Sequence, residues 1–381
     1  MACQGSFGTN PKVELVMDKP VRVLFSWEFA GPHHLARVRS CRPDTGIQAR
    51  IFALSDCSTT YNFYQSEAAH PDLTVAYRSV TVESLPWWQR LQAYIRHVWL
   101  ANEDAYFLCH YERPEVFLTS IVLRLRMKKV FVMNDSKFDD YERHVFREAT
   151  KAVFYLPYHG ALVSGKRSES YLRFLGVRGK IETGYDTIDV KQIGRTSNKS
   201  AADLAHRSFF IVVNRLVKRK NTAMVMEAFA AFCAQNGNAI DLVIVGEGPE
   251  EQALRGLADR LGISDRVKFM GVVRNEEIAS LIARSIALLL MSSSEQWGLV
   301  VNEAIACGVP VIVSDAVGAR DALVRNFVNG FVVEGDNPEG LVRALSAVWR
   351  EGGNLRPPEN IVQAAATDRF ADAVRKLLGR A

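Results

Sequence analysis

Two glutamates stand eight positions apart in Glu295-Gln-Trp-Gly-Leu-Val-Val-Asn-Glu303, with Gly298 between them. The apolar run Ile286 to Met291 precedes them, and a short helical pattern ending at Cys307-Gly308-Val309-Pro310 follows. The order reads as strand, loop and helix. Glu295 then falls in the loop and Glu303 inside the helix. Gly298 falls at the helix start, where backbone without a side chain lets an anion approach unpaired N–H groups. Glu303 lies roughly 7.5 Å further along the axis at the usual helical rise. One helix can thus hold an anion and a hydroxylated group side by side, a combination that suits a sugar nucleotide. Alone, the two glutamates also fit a capping carboxylate and a solvated helix side chain.

A second cluster bears on the same chemistry. Asn214-Arg215-Leu216-Val217-Lys218-Arg219-Lys220-Asn221 follows the strand-like run Ser208–Val213. Arg215 at the strand end and Lys220 at the next helix start can present two cations to one cleft. Sugar transfer from a nucleotide expels a diphosphate whose negative charge grows in the transition state, so fixed cations there lower the barrier. Arg grips phosphate through two N–H groups, while Lys acts as a point charge.

The wording around both clusters resembles a known family. Glu295–Glu303, the following Ala304, and Gly308-Val309-Pro310-Val311-Ile312 are similar to the E-x7-E segment of glycosyltransferase family 4. These are retaining sugar-nucleotide transferases of the GT-B fold. The resemblance is strong over residues 208–350 and weak over the amino-terminal half. It implies an α/β chain of two Rossmann-like, doubly wound domains with a cleft between them. By it, Glu295 meets donor-sugar hydroxyls, Gly298, Leu299 and Val300 offer backbone N–H groups, and Glu303 meets ribose. Arg215 and Lys220 match the family's G-R-L-x-x-x-K phosphate pair, with Asn214 where the family has glycine.

The resemblance also implies that Gly246, in Gly246-Glu247-Gly248-Pro249, lines the nucleotide side. Val272, in Phe269-Met270-Gly271-Val272-Val273, falls where family backbone pairs with the base. Backbone recognition leaves little side-chain signature; a UDP-sugar is expected ahead of a GDP-sugar. In the first half, Trp27 to His34 occupies the place of the family's Gly-Gly turn, with Gly31 alone retained. Asn134 stands where members often carry a histidine near the donor sugar. His110 and Asp135 are further candidates for sugar or acceptor contacts. Lys151, Lys166 and Arg167 read first as plain surface charge and otherwise as acceptor-phosphate contacts.

No Asp-x-Asp occurs in the chain, and no His/Cys cluster has zinc spacing. With Arg215 and Lys220, this leads to an expectation of metal-independent transfer with no cofactor. The donor is a nucleoside-diphosphate sugar, expected to carry a hexose-type sugar. The acceptor is a carbohydrate or lipid-linked hydroxyl. Two other readings stay open: a catalytically silent GT-B subunit, and a synthase or phosphorylase of storage carbohydrate.

The elements that must position these groups are legible as alternation. Strand-like runs at Val21–Ser26, Ala49–Leu54, Ala105–Cys109, Lys129–Met133 and Ala161–Val163 alternate with amphipathic stretches. The second half repeats this at Ser208–Val213, Asp241–Val245, Arg266–Met270, Ile286–Met291, Val309–Val313 and Phe331–Val333. Such alternation marks parallel sheets with helices on both faces. The expected division is an acceptor-binding domain over 1–190, a polar linker over 191–206, and a nucleotide-sugar domain over 207–358. The helix-like tail 359–381 follows Pro357-Pro358, and the resemblance implies that it crosses back to the first domain. The segment Pro86 to Leu100, apolar at 87, 88, 91, 94, 95, 98 and 99, reads as a helix packed on the first sheet, with lipid docking as the other reading.

Composition excludes other classes. The 381 residues favour two domains, and 48% hydrophobic with 23% charged residues is a globular balance. The net charge of +5 divides evenly, with 24 Lys and Arg against 21 Asp and Glu in residues 1–190 and 23 against 21 beyond. That evenness argues against a nucleic-acid-binding half. Mild basicity is compatible with anionic substrates or a membrane surface. Cys3, Cys41, Cys57, Cys109, Cys233 and Cys307 form no C-x-x-C pair and suggest buried thiols in a reducing compartment. No run approaches the about 20 apolar residues that span a bilayer. Met1 to Pro11 lacks a signal-peptide layout and reads as a disordered tail. A cytoplasmic place, with possible peripheral contact at the inner membrane face, is the expectation.

Overall fold

The computed structural model describes residues 19–42, 46–57, 71–198, 209–237, 240–351 and 353–380. The tail Met1–Pro11, Cys3 and linker residues 199–206 lie outside them. The first domain runs β1 (Val21–Phe29), α1 (Pro32–Ser40), β2 (Ile47–Cys57), β3 (Leu73–Thr81), α2 (Trp87–Tyr94), β4 (Ala105–Leu108) and α3 (Pro114–Leu125). It continues with β5 (Lys129–Asn134), α4 (Val145–Tyr155), β6 (Gly160–Val163), α5 (Lys166–Phe174) and β7 (Lys180–Thr183). After α6 (Val190–Asn198) come β8 (Phe209–Val213), α7 (Thr222–Asn236), β9 (Asp241–Val245), α8 (Glu251–Leu261), β10 (Val267–Gly271) and α9 (Asn275–Arg284). The rest is β11 (Leu288–Leu290), α10 (Leu299–Ala306), β12 (Val311–Ser314), α11 (Arg320–Leu323), β13 (Gly330–Val333), α12 (Pro338–Glu351), α13 (Glu359–Ala365) and α14 (Thr367–Leu378).

The strands form two sheets, ordered β3-β2-β1-β4-β5-β6-β7 and β10-β9-β8-β11-β12-β13. Every pairing is parallel. Parallel strands need helical crossovers, which cover both faces and make the strands apolar throughout. The central strands show it: β4 and β12 are buried at every residue. In both sheets the order reverses at one point, between β1 and β4 and between β8 and β11. Crossovers diverge there, leaving a crevice outside the carboxyl ends of the strands where ligands bind.

Four apolar clusters fill the four faces. Phe25, Phe107 and Phe370 pack α1 and α14 onto one side of the first sheet, while Tyr94, Val116, Leu123 and Tyr171 bring α2, α3 and α5 onto the other. Phe210, Phe229 and Phe232 lie on one side of the second sheet, and Leu290, Val301 and Ile305 on the other.

Several expectations change. The first sheet has seven strands rather than five, because β3 and β7 were not anticipated. Both are edge strands, and β3 has no fully buried residue, so neither carries the continuous apolar run of a central strand. The polar stretch taken as linker is helical over Val190–Asn198, and α6 packs against α9 and α10. The expected helix from Pro86 divides into α2 and a wider π-type turn over Ile95–Trp99. Ala93, Tyr94 and Val98 are buried, while Trp87 and Trp88 face outward. The carboxyl tail breaks at Ala366, which bridges to Ile188; α13 lies beside α10, and α14 lies beside α1 on the first domain.

Candidate functional site

The crevice beside β8 and β11 holds a cavity of about 280 Å³. Arg215 and Lys220 reach it from the loop after β8, Glu295 from the loop after β11, and Leu299, Val300 and Glu303 from α10. Gly246 after β9 and Val272 after β10 complete the second domain's side, and His33 enters from α1 of the first. Eight of the residues singled out in the sequence are therefore neighbours.

Local backbone explains how. Gly246 sits at φ +126°, and a Cβ there would lie 1.9 Å from the Asn214 carbonyl oxygen. Only glycine lets the two loops approach. They are joined by the Asn214 N–H donating to Val245 O (3.0 Å) and the Leu216 N–H donating to Glu247 O (2.9 Å). Gly298 caps α10 at φ +98°, and a Cβ there would meet Leu290 at 2.8 Å. The loops after β8 and β11 are clamped together. The Ser293 N–H donates to Arg219 O (2.8 Å), and Arg219 donates to Ser294 O (3.2 Å).

Lys220 Nζ contacts the Glu295 carboxylate, which also accepts from Ser292 Oγ at 3.0 Å. Both partners are mostly buried, with side chains 12% exposed. This pairing fixes a cation and a carboxylate at one point of the cavity wall. Glu303 faces His33 Nε2 at 3.3 Å across the domain boundary.

The first-domain candidates are distributed differently. Gly31 caps α1, and its N–H donates to His34 Nδ1 at 3.0 Å. Burial, with Arg37, His33 and His110 nearby, holds His34 well below the usual histidine range and so neutral. His110 adopts φ +59° and lies 3.8 Å from Glu28, which also pairs with Arg113 at 2.7 Å. Burial opposes charge on His110, but Cys109 and then Glu28 outweigh it and raise its pKa to about 10. Burial, followed by the charges of Asp186 and Asp140, pushes Asp135 up to about 7. Asp135 accepts from Gln296 Nε2 at 3.1 Å, so it meets the loop that carries Glu295.

Asn134 is not brought to the cavity. It is buried, its amide donates to Tyr155 Oη at 2.5 Å, and its oxygen accepts the Ser136 N–H at 2.6 Å. Lys151 pairs with Glu148 and Lys166 with Glu169. Arg167 contacts Asp139 and also lies 3.7 Å from Asp321 across the boundary. Among the described residues, no three His, Cys, Asp or Glu side chains come together as a metal-holding group.

Sequence reasoning missed His33, Gln296 and Arg219. His33 follows Gly31-Pro32 in the first turn of a helix that starts at the sheet's carboxyl edge, a position that aims it at the crevice. Gln296 and Arg219 lay inside the recognised segments but carried no spacing signal of their own.

The sequence model of the family described as Glycosyl transferases group 1 matches residues 196–368. N-acetyl-alpha-D-glucosaminyl L-malate synthase of Bacillus anthracis is 31% identical over 167 residues, 42% of this chain and 42% of that protein. D-inositol 3-phosphate glycosyltransferase of Streptomyces griseus is 44% identical over 94 residues, 25% of this chain and 20% of that protein. The matches thus span less than half the length of these relatives. Solved structures match almost throughout. Sucrose-phosphate synthase of Thermosynechococcus elongatus superposes with a TM-score of 0.69 at 16% identity, over 94% of this chain and 98% of that one. Anabaena HepE, solved in complex with UDP and glucose, gives 0.65 at 17% identity over 94% and 97%. At such identities the likeness concerns the fold, which is GT-B.

Proposed function

We propose that this chain, whose residues 196–368 match the family described as Glycosyl transferases group 1, moves a hexose-type sugar from a nucleoside diphosphate to a hydroxyl acceptor, with retention at the anomeric carbon. The observation that carries this reading is the cavity at the second sheet's switch point, where Arg215, Lys220, Glu295 and Glu303 converge. In the proposal, Arg215 and Lys220 hold the diphosphate and stabilise the charge that grows on it as the glycosidic bond breaks. The free amides at the start of α10 face the same charge. Glu295, held by Lys220 and Ser292, accepts hydrogen bonds from donor-sugar hydroxyls, and Glu303 accepts from ribose.

The acceptor, a carbohydrate or lipid-linked hydroxyl, enters from the first domain, where Asp135 and His110 stand at the carboxyl ends of β5 and β4. No carboxylate is assigned as a covalent nucleophile, so the acceptor attacks on the face the diphosphate leaves, and the departing phosphate takes the acceptor's proton. The UDP complex of HepE supports placing uridine ahead of guanosine in the donor. A short incubation with UDP- and GDP-sugars, scored for nucleotide release, tests the reading. A chain that binds nucleotide yet releases none from any donor is a silent subunit instead.

Two further results are expected. Glu303→Ala should weaken binding of the nucleoside diphosphate alone by about 1–3 kcal/mol, the usual cost of lost hydrogen bonds at a partly buried site. Calorimetry reads this directly, and unchanged affinity removes Glu303 from the ribose site. Transfer should also persist in excess EDTA, because Arg215 and Lys220 supply the charge that a divalent ion would. Loss of turnover on chelation with recovery on magnesium would overturn the metal-free reading.

A further inference from the structure

A helix that covers a sheet normally turns its apolar side inward and polar side chains outward. α4 departs from that rule. Its inner side is occupied, with Phe154 against Phe117 and Tyr155 against Tyr111. Yet Phe146 (88% exposed) and Val153 lie seven residues apart on the outer side, and Leu156 (75%) follows at the helix end. The neighbouring end of α3 does the same. Leu118, Leu125 and Met127 are exposed, and Met127 adopts φ +58°, a conformation that side chains other than glycine rarely take. Met127 is 91% exposed as a result. The ends of α3 and α4 share a groove formed by Ile121, Leu125, Met127, Leu156 and Pro157. Trp87 and Trp88 are exposed on α2, which covers the same side of the sheet.

The charge on this surface has one sign. Arg124, Arg126 and Arg147 are exposed among the apolar groups. The acidic residues of residues 114–130 and 145–160 are Glu115 and Glu148; both are buried and paired inward, Glu115 with Arg90 and Glu148 with Arg143 and Lys151. No helix among the described residues is long and apolar enough to cross a membrane.

We propose that the outer face of α3 and α4 docks on an anionic lipid bilayer. Apolar side chains would enter the headgroup boundary while the arginines meet lipid phosphates, the pattern of an interfacial surface. Tryptophans at the border of that face suit the same depth. A second copy of the chain fits less well, because a two-fold contact would set these arginines against one another.

The test is flotation of the full chain with vesicles of phosphatidylcholine, with and without phosphatidylglycerol. It needs no donor, so it succeeds or fails separately from the transferase reading. The parent should float with phosphatidylglycerol vesicles, far less with phosphatidylcholine alone, and less as salt rises. The variant Arg124→Ala/Arg126→Ala/Arg147→Ala should lose roughly 100-fold in vesicle affinity. Phe146→Ser/Val153→Ser/Leu156→Ser should lose at least about tenfold. All six side chains lie outside the transferase cavity, and a thermal melt confirms that the variants are folded. A parent that does not float, or variants that float like the parent, overturns the proposal. So does light scattering that finds a parental dimer which the serine variant dissolves, since the face then joins two copies.

Discussion

Lys220→Ala and Arg215→Ala are each expected to lower the rate of sugar transfer on the order of 100-fold or more while leaving the melting temperature nearly unchanged. The size follows from the timing of charge. In the bound donor the diphosphate carries its charge dispersed and partly hydrated. As the anomeric bond breaks, another negative charge appears on the bridging oxygen, so a fixed cation there binds the transition state more strongly than the ground state. Removing one preorganised contact of this kind commonly costs on the order of 100- to 1000-fold. Lys220 has a second role, because its ammonium contacts Glu295. Without it, Glu295 keeps only the Ser292 hydroxyl among its side-chain partners described above, and its aim at the sugar should loosen. Lys220→Ala should therefore raise KM for the donor as well as lower kcat, while Arg215→Ala should act chiefly on kcat. Both residues lie on a loop outside the apolar clusters, and the Glu295 carboxylate that Lys220 would leave lines the cavity, where water can take the ammonium's place, so folding should suffer little. Single-turnover transfer beside a thermal melt decides it. Parental rates in both variants would mean that the diphosphate is held elsewhere.

The second domain was legible because its chemistry is local in sequence. Arg215 and Lys220 sit on one loop, Glu295 and Glu303 on one loop and its helix, and their spacing survives translation into structure. Glycines at 246 and 298 were visible for the same reason, since each solves a crowding problem that no other residue can. The first domain was less legible. Its strands β3 and β7 lie at edges, where the alternation of buried and exposed positions is irregular. His33 depends on a helix from one domain meeting α10 of the other, a contact with no signature along the chain. Asn134 differs in the opposite way. It closes β5 where the resemblance puts a residue near the donor sugar, but its side chain is engaged by Tyr155 and the Ser136 amide. The tie between the domains was wholly hidden, because it runs through residues that sequence reading treats as ordinary core and surface.

That tie supports the last prediction: Arg37→Met should destabilise the protein by about 3–5 kcal/mol. Arg37 lies on α1 and is 1% exposed. Its guanidinium donates to Asp186 Oδ1 and to the Thr187 carbonyl, both at 3.0 Å, and sits over the Tyr185 ring. Asp186 also accepts from Ser164 Oγ at 2.5 Å, and its backbone carbonyl accepts from Asn302 of α10 at 3.1 Å. Asn302 in turn accepts from Trp297 Nε1 at 2.9 Å. The chain of contacts therefore runs from the first domain's α1 to the helix that carries Glu303. Methionine can fill the space of the arginine stem, so the loss is electrostatic: the Asp186 carboxyl would stay buried with the Ser164 hydroxyl as its remaining described side-chain partner. An uncompensated buried charge costs far more than the net worth of the pair that it replaces. Urea unfolding followed by tryptophan fluorescence measures the effect, and Trp27, hydrogen-bonded to Tyr185 Oη at 2.8 Å, reports from beside the site. Adding Asp186→Asn to Arg37→Met should restore a substantial part of the loss by removing the stranded charge. If the single variant unfolds at the parental urea concentration, the Arg37–Asp186 pair contributes nothing to stability.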